Sequence, residues 1–387
     1  MKKIIYLSNG LSKEKYNEIY EKYGEYPKQQ MQQYNLSLTK GFGANDGYLV
    51  EALSVYPSNS NSLSKLVTLA SDEKKSYAHY YYAPYSSNRV LRQILIFIYI
   101  FFFILFKSSG ETIIISDALN IVSNLALIIA SKARKKKSIG ILTDLPEFMG
   151  LKGATLGLLH KIVASFDAYV FLSEPMNKKI NFHNKPYVVV EGQIEECGIL
   201  GKDSLINEDN KKRNIVYAGS LTISNGVARF IEAFEKCNLT NVELHLYGKG
   251  ELVSTIDFSK SKNIVYKGQV PSSELKTILK KATLLVNPRP TDQEFVQYSF
   301  PSKQMEYMAS GTPVLTTHIP SMPDEYLDYV LVIKDESIDG MTRSIIEAMK
   351  MTDEQLLILG QKAREFVYKN KIGRVQARKI LDMSDRI

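Results

Sequence analysis

The sequence predicts an α/β protein built from two doubly wound units. Short apolar segments alternate with longer helical patterns along most of the 387 residues, and this alternation is typical of parallel sheets with crossover helices. One polar, charged segment, GKDSLINEDNKKR at residues 201–213, interrupts the alternation, which then restarts. A chain of this length holds roughly two or three domains. We therefore expect an N-terminal domain over residues 1–200, a linker over 201–213 and a C-terminal domain over 214–370.

The N-terminal domain is expected to begin with a strand at residues 1–9. This segment, MKKIIYLSN, has only four apolar residues before it turns polar, whereas a secretory signal needs an apolar run of about 7–15, so we do not expect a signal peptide. Runs rich in Val, Ile and Tyr predict the later strands, and longer apolar segments predict the helices. The strands are predicted at 47–55, 76–85, 111–116, 137–146, 168–173 and 187–192, and the helices at 94–106, 120–136 and 154–166.

The C-terminal domain repeats this pattern. Ser272 or Ser273 is expected to cap the helix ELKTILKK, because a serine hydroxyl accepts a hydrogen bond from the first turn of a helix. The last residues of the chain, 374–387, are predicted to be helical. Strands are predicted at 214–220, 242–248, 263–270, 282–288, 312–317 and 329–335, and helices at 226–237, 274–281, 302–309, 337–349 and 353–369.

Composition and charge exclude several classes of protein. With 44% hydrophobic residues, the chain is neither mostly disordered nor collagen-like. Its two cysteines, Cys197 and Cys237, form no CxxC pair, which argues against a thiolate metal site and a disulfide framework and fits a reducing compartment. The formal net charge is +8, and residues 1–200 contain 23 Lys and Arg against 17 Asp and Glu. This basic half indicates nucleic acid, anionic lipid or a phosphorylated substrate as a partner, and a solvated surface without a partner explains it equally well.

Thirteen consecutive apolar residues, Ile94–Phe106, form the segment most like a membrane helix. A bilayer span needs about 20 residues, and Arg92 and Gln93 stop the run from extending toward the N-terminus. A helix that is apolar on all sides is usually buried. We therefore do not expect a span, and a core or interface helix and a helix inserted in a membrane surface both remain open.

Glycines follow two successive strands of the second domain. Gly219 and Ser220 end the first strand, Asn225 and Gly226 precede the next helix, and Gly248 ends the second strand. A strand–glycine–helix step lets a ligand phosphate approach backbone N–H groups. Glycines that serve only to turn the chain are the alternative at each step.

Lys303 and Glu306 are three residues apart in the predicted helix 302–309 and therefore lie on neighbouring parts of one face. A cation and a carboxylate placed there suit a nucleoside diphosphate, with the lysine at the phosphates and the glutamate at the ribose hydroxyls. A solvent-exposed Lys–Glu pair would show the same spacing.

The segment YSFPSKQMEYMASGTPV, from Tyr298 to Val314, resembles the nucleotide-sugar site of glycosyltransferase family 4, a retaining family with the GT-B fold. Many members read E-G-F-G-x-P-x-x-E-A-M-A-x-G-x-P-V. The segments YAGSL followed by NGV, LYGKGEL, ILTDLPEF and AYVFLSEPMN agree with the family as well. The form FPSK followed by EYMASG is similar to that of bacterial surface-polysaccharide enzymes. The resemblance is specific over 214–317 and loose before Ser138.

The resemblance implies two Rossmann-like doubly wound domains facing each other across a cleft, with the C-terminal helix 371–387 packing back on the N-terminal domain. It also implies transfer of a sugar from a nucleotide sugar, usually with uridine as the base, to a hydroxyl of a glycan. Neither a metal nor a cofactor is then required, and nucleic acid is not a partner. In similar bacterial enzymes the acceptor sits on a polyprenyl diphosphate, which implies a cytoplasmic protein, peripheral at the inner face of the cell membrane.

This sequence departs from the family pattern in two places. The family has two glutamates, and here Glu306 fills the second place while Tyr298 fills the first; Glu294 lies four residues earlier and is a candidate replacement. Members often carry Arg and Lys near the first strand end, where this chain has Ser220 and Asn225.

The diphosphate charge is then left to Lys303, with Arg289 or Lys249 as further candidates. The implied catalytic groups are Lys303, Glu294, Asp144 and Arg289. The implied donor site contains Gly219, Ser220, Asn225, Gly226, Gly248, Lys249, Tyr298, Ser299, Phe300, Lys303 and Glu306.

The acceptor is expected in the N-terminal domain. Gly41, Phe42 and Gly43 follow a polar, helix-like stretch, and similar proteins have a mobile glycine-rich acceptor loop there; an ordinary turn is the alternative. Asp144 ends a predicted strand, and it either contacts the sugar or acceptor, or caps the next helix.

Two other functions remain open from the sequence. A GT-B nucleotide-sugar epimerase would share the C-terminal half but needs an acid and base near the sugar, and no histidine or carboxylate cluster stands out for it. A non-catalytic partner subunit would explain the lost glutamate and cations. The five histidines have no metal-ligand spacing, and the phosphate-binding motif GxxxxGK[ST] is absent from the sequence.

Overall fold

A computed structural model describes residues 1–23, 29–56, 67–195, 212–258 and 261–387. The chain divides into two compact units, one formed by Met1–Glu195 with Ile372–Ile387 and the other by Glu196–Lys371. Cys197 lies outside the described residues, and so does the predicted linker 201–213 except for its last two residues, Lys212 and Arg213.

The first unit is built on an eight-stranded sheet with the order β3-β4-β2-β1-β5-β6-β7-β8. All neighbouring strands are parallel except β3 and β4. The central strand β1 is buried on both faces, as its run of Ile, Tyr and Leu predicts for a covered parallel sheet. The strands are β1 (Lys2–Ser8), β2 (Tyr48–Ser54), β3 (Ser71–Lys74), β4 (His79–Tyr82), β5 (Thr112–Asp117), β6 (Ser138–Leu142), β7 (Ala168–Phe171) and β8 (Tyr187–Val189).

Within the described residues, seven α-helices belong to this unit. They are α1 (Lys13–Tyr23), α2 (Gln29–Gly43), α3 (Arg89–Lys107), α4 (Ile121–Ala133), α5 (Gly153–Val163), α6 (Glu174–Ile180) and the C-terminal α13 (Gly373–Ser384). The last helix packs against α2 within this unit.

Gly41, Phe42 and Gly43 are not in a loop, so the predicted glycine-rich loop is wrong. They form the last turn of α2, and Phe42 is fully buried in the core. A Cβ at Gly41 would lie 2.2 Å from the carbonyl oxygen of Gly373, and one at Gly43 would lie 2.0 Å from that of Tyr77. Close backbone packing therefore explains both glycines.

Helix α3 is longer than the apolar run within it. It spans 19 residues and begins behind Asn88, whose side chain accepts hydrogen bonds from the Val90 and Leu91 amides. Among the described residues it is the helix long and apolar enough to cross a membrane, and 28% of its most apolar window is buried in the protein. Ile96, Ile100, Phe103 and Ile104 form its buried side, so the prediction of a core helix holds for one side.

The second unit has a six-stranded, wholly parallel sheet with the order β11-β10-β9-β12-β13-β14. Its strands are β9 (Arg213–Ala218), β10 (Val242–Tyr247), β11 (Ile264–Gly268), β12 (Leu284–Asn287), β13 (Val314–Thr317) and β14 (Leu331–Ile333). Its helices are α7 (Val227–Lys236), α8 (Leu252–Thr255), α9 (Ser272–Lys281), α10 (Ser302–Ser310), α11 (Ile338–Lys350) and α12 (Asp353–Asn370).

The start of α9 differs from the prediction. The helix begins at Ser272 itself, after Pro271, and no side chain caps it. The predicted serine cap is therefore wrong: the helix starts at Ser272, two residues before the predicted start at Glu274, so both serines lie inside it.

Candidate functional site

The sheet of the second unit reverses its strand order between β9 and β12. Strands β10 and β11 extend it on one side of β9, and β13 and β14 extend it on the other. In open parallel sheets such a reversal leaves a crevice at the carboxyl ends of the strands, where ligands bind. The sequence-predicted residues Gly219 and Arg289 follow β9 and β12 at this edge.

Glycines bring the loops at this edge into close contact. A Cβ at Gly248 would lie 1.8 Å from the carbonyl oxygen of Gly219, and a Cβ at Gly226 would lie 2.0 Å from that of Pro288. Both glycines also have positive φ angles, 131° and 75°, which L side chains rarely adopt. The loops after β9, β10 and β12 therefore meet backbone to backbone, and no side chain fills the floor of the crevice at these positions.

Helix α10 is fixed to both strands at the reversal. The Tyr307 hydroxyl accepts a hydrogen bond from the Ala218 amide (2.9 Å) and donates one to the Ala218 carbonyl (3.0 Å). On the other side, the Asn287 side-chain amide donates to Gln304 Oε1 (3.2 Å). Because Tyr307 is buried and lies one turn after Lys303, these bonds set the position of the lysine.

Lys303 projects from the first turn of α10 over the end of β9. Its Nζ lies 5.3 Å from the centre of the Tyr217 ring, and a Cβ at Gly219 would come within 1.5 Å of that nitrogen. Within the described part of the chain, no hydrogen bond or ion pair to the Lys303 ammonium is found. The absence of a side chain at Gly219 thus leaves the space that the end of the lysine side chain occupies.

Arg289 is a second cation at the same edge. Its guanidinium lies 4.7 Å from the centre of the Phe295 ring, and its Nε is buried without a hydrogen-bond partner. No carboxylate among the described residues forms an ion pair with it. A half-buried guanidinium without a carboxylate partner among the described residues suits an anionic ligand.

The electrostatics of these groups agree with that interpretation. Burial and the neighbouring Arg289 charge lower the pKa of Lys303 to about 8, against a smaller opposing effect of Glu306. Burial also lowers the pKa of Arg289, which still remains protonated at neutral pH. The surrounding protein raises the pKa of Glu306, although its side chain stays accessible to solvent. Bound negative charge would relieve the repulsion between the two cations.

The start of α7 adds backbone donors at this edge. The helix begins directly after Gly226, and its first N–H groups have no partners within the helix. Helix N-termini favour phosphate and other anions. Two side-chain cations and a helix N-terminus thus belong to one strand edge.

Other predicted donor residues have structural roles as well. Asn225 donates to the Ser220 carbonyl oxygen (3.1 Å) and to Thr222 Oγ1 (2.8 Å), closing the loop after β9. Ser220 and Lys249 are exposed.

The segment before α10 divides between the core and the surface. Phe300 is buried against Tyr326, with ring centres 5.0 Å apart, so its side chain serves the core and is not open to a donor. Ser299 donates from Oγ to the Phe295 carbonyl oxygen (3.1 Å). Tyr298 is half-buried, and Glu294 is exposed at the start of a 3-10 helix.

Asp144 lies in the first unit, two residues after β6. Its Oδ1 accepts a hydrogen bond from the Leu145 amide (2.9 Å). The 3-10 helix that follows, Pro146–Met149, has no side-chain cap. The capping alternative is therefore wrong, and a sugar or acceptor contact stays a prediction.

Two residues of the site were missed by the sequence analysis. Tyr217 supplies the ring under Lys303, and Tyr307 fixes α10 to β9. Both look like ordinary core aromatics in the sequence. The available signal in the sequence is their position: Tyr217 lies two residues before Gly219, and Tyr307 lies four residues after Lys303, within the segments that resemble the family.

The family comparison assigns this unit. Residues 203–366 match the family model described as glycosyl transferases group 1. This segment is a group 1 glycosyltransferase domain. The paired cations, the glycine loops and α10 all belong to this glycosyltransferase domain.

Solved structures show the fold of the whole chain. Sucrose-phosphate synthase from Thermosynechococcus elongatus is similar with a TM-score of 0.65 and 12% identity, over 100% of this chain and 99% of that one. Anabaena HepE in complex with UDP has a TM-score of 0.63 and 12% identity, over 100% of both chains. The lipopolysaccharide outer core galactosyltransferase WaaB has a TM-score of 0.61 and 13% identity, over 99% of both chains. The chain therefore has the GT-B fold, with two Rossmann-like domains. No curated protein sequence matches it.

Proposed function

We propose that this protein transfers a sugar from a UDP-sugar to a hydroxyl group of a glycan, with retention of the anomeric configuration. The observation that carries the proposal is the pair of cations Lys303 and Arg289, which lack a carboxylate partner within the described residues. They lie at the strand edge where a doubly wound sheet binds nucleotides. The UDP complex of the structurally similar HepE supports uridine as the base.

In the proposed reaction, the bond between the sugar anomeric carbon and the diphosphate oxygen breaks, and a bond from the same carbon to the acceptor oxygen forms. Negative charge develops on the departing UDP. Lys303, Arg289 and the α7 N-terminus stabilise it, and preorganised groups of this kind contribute the largest share of many enzymatic rate enhancements. The departing phosphate oxygen takes the acceptor proton, so no separate general base is required.

The same proposal gives roles to three carboxylates. Glu306 accepts hydrogen bonds from the ribose hydroxyls. Glu294 takes the place of the family glutamate that Tyr298 replaces, and Asp144 of the first unit contacts the transferred sugar or the acceptor.

We further propose a lipid-linked glycan as the acceptor and a place at the cytoplasmic face of a bacterial membrane, in surface-polysaccharide synthesis. The printed name of WaaB, a lipopolysaccharide outer core galactosyltransferase, supports this class of acceptor. Charge compensation by two side-chain cations makes the reaction independent of a metal ion. EDTA is then expected to leave the rate unchanged.

The direct test is incubation of the protein with a panel of UDP-sugars and lipid-linked glycans, with the product followed by mass spectrometry and its anomeric configuration by NMR. A retained configuration in a new glycoside supports the proposal. Lys303→Ala is expected to lower turnover about 100-fold or more, and Lys281→Ala on exposed α9 is its control. Absence of any product with every donor, despite UDP binding, would favour a non-catalytic subunit. A donor sugar epimerised without acceptor would favour an epimerase.

A further inference from the structure

Five apolar side chains form a continuous exposed stripe along α3. They recur every fourth residue, so each lies next to the one before it, and the row winds slowly round the helix, by about 40° at each step. From Val90 to Phe106, at about 1.5 Å per residue, the stripe is about 24 Å long. Its members and their exposed fractions are Val90 (68%), Ile94 (50%), Ile98 (47%), Phe102 (48%) and Phe106 (76%). We call these five residues the α3 stripe.

The opposite side of the same helix is held in the protein. Ile96, Ile100 and Ile104 are at most 4% exposed, and α3 packs along α4. Phe103 also contacts the Tyr81 ring, with centres 4.9 Å apart. A bilayer span would require this buried side to leave the core, whereas docking in the plane of a surface uses the exposed stripe as it stands.

Basic side chains flank the C-terminal end of the stripe. The segment SKARKKK begins in the last turn of α4 and runs four residues past its end, and four of its five cations are in exposed residues, with Lys136 half-buried. We call Lys132, Arg134, Lys135, Lys136 and Lys137 the basic segment.

Hydrogen bonds join the basic segment to the end of α3. Arg134 donates to the Ser108 carbonyl oxygen (3.0 Å), and Lys136 donates to that of Gly110. Lys107 adds a cation at the last residue of the helix, next to Phe106. Lys137 lies 3.8 Å from Asp167, so that charge is partly offset.

We propose that the α3 stripe and the basic segment together dock this protein on an anionic lipid bilayer. Apolar side chains enter the headgroup boundary, and the cations contact the lipid phosphates, as in interfacial amphipathic helices. A second copy of the chain fits less well, because an apolar contact along the stripe would cover the stripe alone and give the basic segment no counter-charge, whereas anionic lipid covers both. This docking does not depend on the proposed transfer reaction, and its test requires no donor or acceptor.

The first test is flotation of the full chain with vesicles of phosphatidylcholine, with and without phosphatidylglycerol. We expect binding to the vesicles that contain phosphatidylglycerol, and weaker binding as salt is added. Replacement of Lys132, Lys135 and Lys137 by Gln should weaken that binding about 100-fold. Replacement of the exposed Lys262, Lys281 and Lys350 of the second unit by Gln is the matched control, which removes the same charge and should have a small effect.

The second test addresses the stripe. The double substitution Phe102→Ser and Phe106→Ser should reduce vesicle binding at least about tenfold. It should also abolish the binding that persists at high salt. Ile358→Ser, at an exposed apolar position of α12 with 46% exposure, is the control. Circular dichroism and the midpoint of thermal unfolding should be unchanged in all variants, which separates loss of docking from loss of folding.

Because the chain contains no tryptophan, Phe102→Trp introduces a single fluorescent reporter into the stripe. With anionic vesicles its emission should shift to the blue and be quenched by brominated lipid, whereas Ile358→Trp should show neither change. Three results would overturn the proposal. The first is no binding to anionic vesicles at low salt, and the second is a loss of binding in the control variants as large as that in the test variants. The third is a dimer in solution that depends on the stripe and excludes lipid.

Discussion

The ammonium nitrogen of Lys303 lies 1.5 Å from the position that a Cβ on Gly219 would occupy. The two residues come from different elements, the end of β9 and the first turn of α10. The ammonium group of Lys303 occupies the space that a side chain at residue 219 would fill. The site thus depends on a glycine that is not at a positive φ angle and therefore has no conformational reason to be glycine.

Gly219→Ala tests this relationship. The added methyl group must displace the Lys303 side chain, so we expect UDP affinity to fall about tenfold, in line with loss of one charge-assisted contact. Gly157→Ala in α5 is the control, since a Cβ there meets nothing within 4 Å. Calorimetric titration of UDP measures both. An unchanged affinity in Gly219→Ala would show that the lysine does not need this position.

The pH dependence of UDP binding should report Lys303. In the free protein its pKa is lowered to about 8, and a bound diphosphate stabilises the protonated form and raises that pKa. Affinity should therefore be nearly constant between about pH 7 and 8, where the terminal phosphate of UDP is already ionised, and fall by up to tenfold per pH unit above pH 8. Lys303→Arg should abolish the slope, because arginine stays protonated throughout this range. A slope that persists in Lys303→Arg would assign the titration to another group.

Tyr307→Phe should loosen the attachment of α10 to β9. The variant loses both hydrogen bonds to Ala218, and we expect a loss of about 1–3 kcal/mol in the free energy of unfolding with a several-fold weaker affinity for UDP. Tyr6→Phe in the first unit removes a comparable buried bond to Asn35 (2.7 Å). That control should lose stability without any change in UDP affinity, and denaturant unfolding with titration distinguishes the two effects.

Glu294→Gln tests the proposed replacement of the family glutamate. If Glu294 acts on the donor sugar, turnover should fall about 100-fold or more while UDP affinity and thermal stability stay the same. Glu274→Gln, at an exposed position of α9, should have no effect. Recovery of activity in Tyr298→Glu combined with Glu294→Gln would support the assignment further. Wild-type turnover in Glu294→Gln would remove Glu294 from the mechanism.

The sequence predicted the fold well where burial dictates the pattern. Each of the central parallel strands β1, β5 and β9 contains a run of three or four consecutive apolar residues, so all three stand out without a structure. Strand β3, with the sequence SDEK, has no apolar residue and forms only because it pairs antiparallel with β4 at the sheet edge. Helix α1, which is rich in charged residues, was also not predicted.

The candidate site was predicted through its motif residues, and the rest required the structure. Lys303 was expected to meet the diphosphate, with Arg289 or Lys249 as further candidates, and the structure places Lys303 and Arg289 at the predicted strand edge. The roles of Tyr217 and Tyr307 depend on contacts between elements about 90 residues apart in the chain, which no local pattern reports. Likewise, Gly41 and Gly43 looked like a flexible loop because their packing partners, Gly373 and Tyr77, are distant in sequence.

The most direct test of the central claim is a calorimetric titration of UDP and of uridine into the wild-type protein, Lys303→Ala and Arg289→Ala. If the two cations form a diphosphate site, UDP should bind the wild type at least about 100-fold more tightly than uridine, and each substitution should reduce that preference about tenfold or more. Uridine affinity should stay nearly the same in all three proteins. Equal binding of UDP and uridine by the wild type, or an undiminished preference for UDP in both variants, would contradict the account.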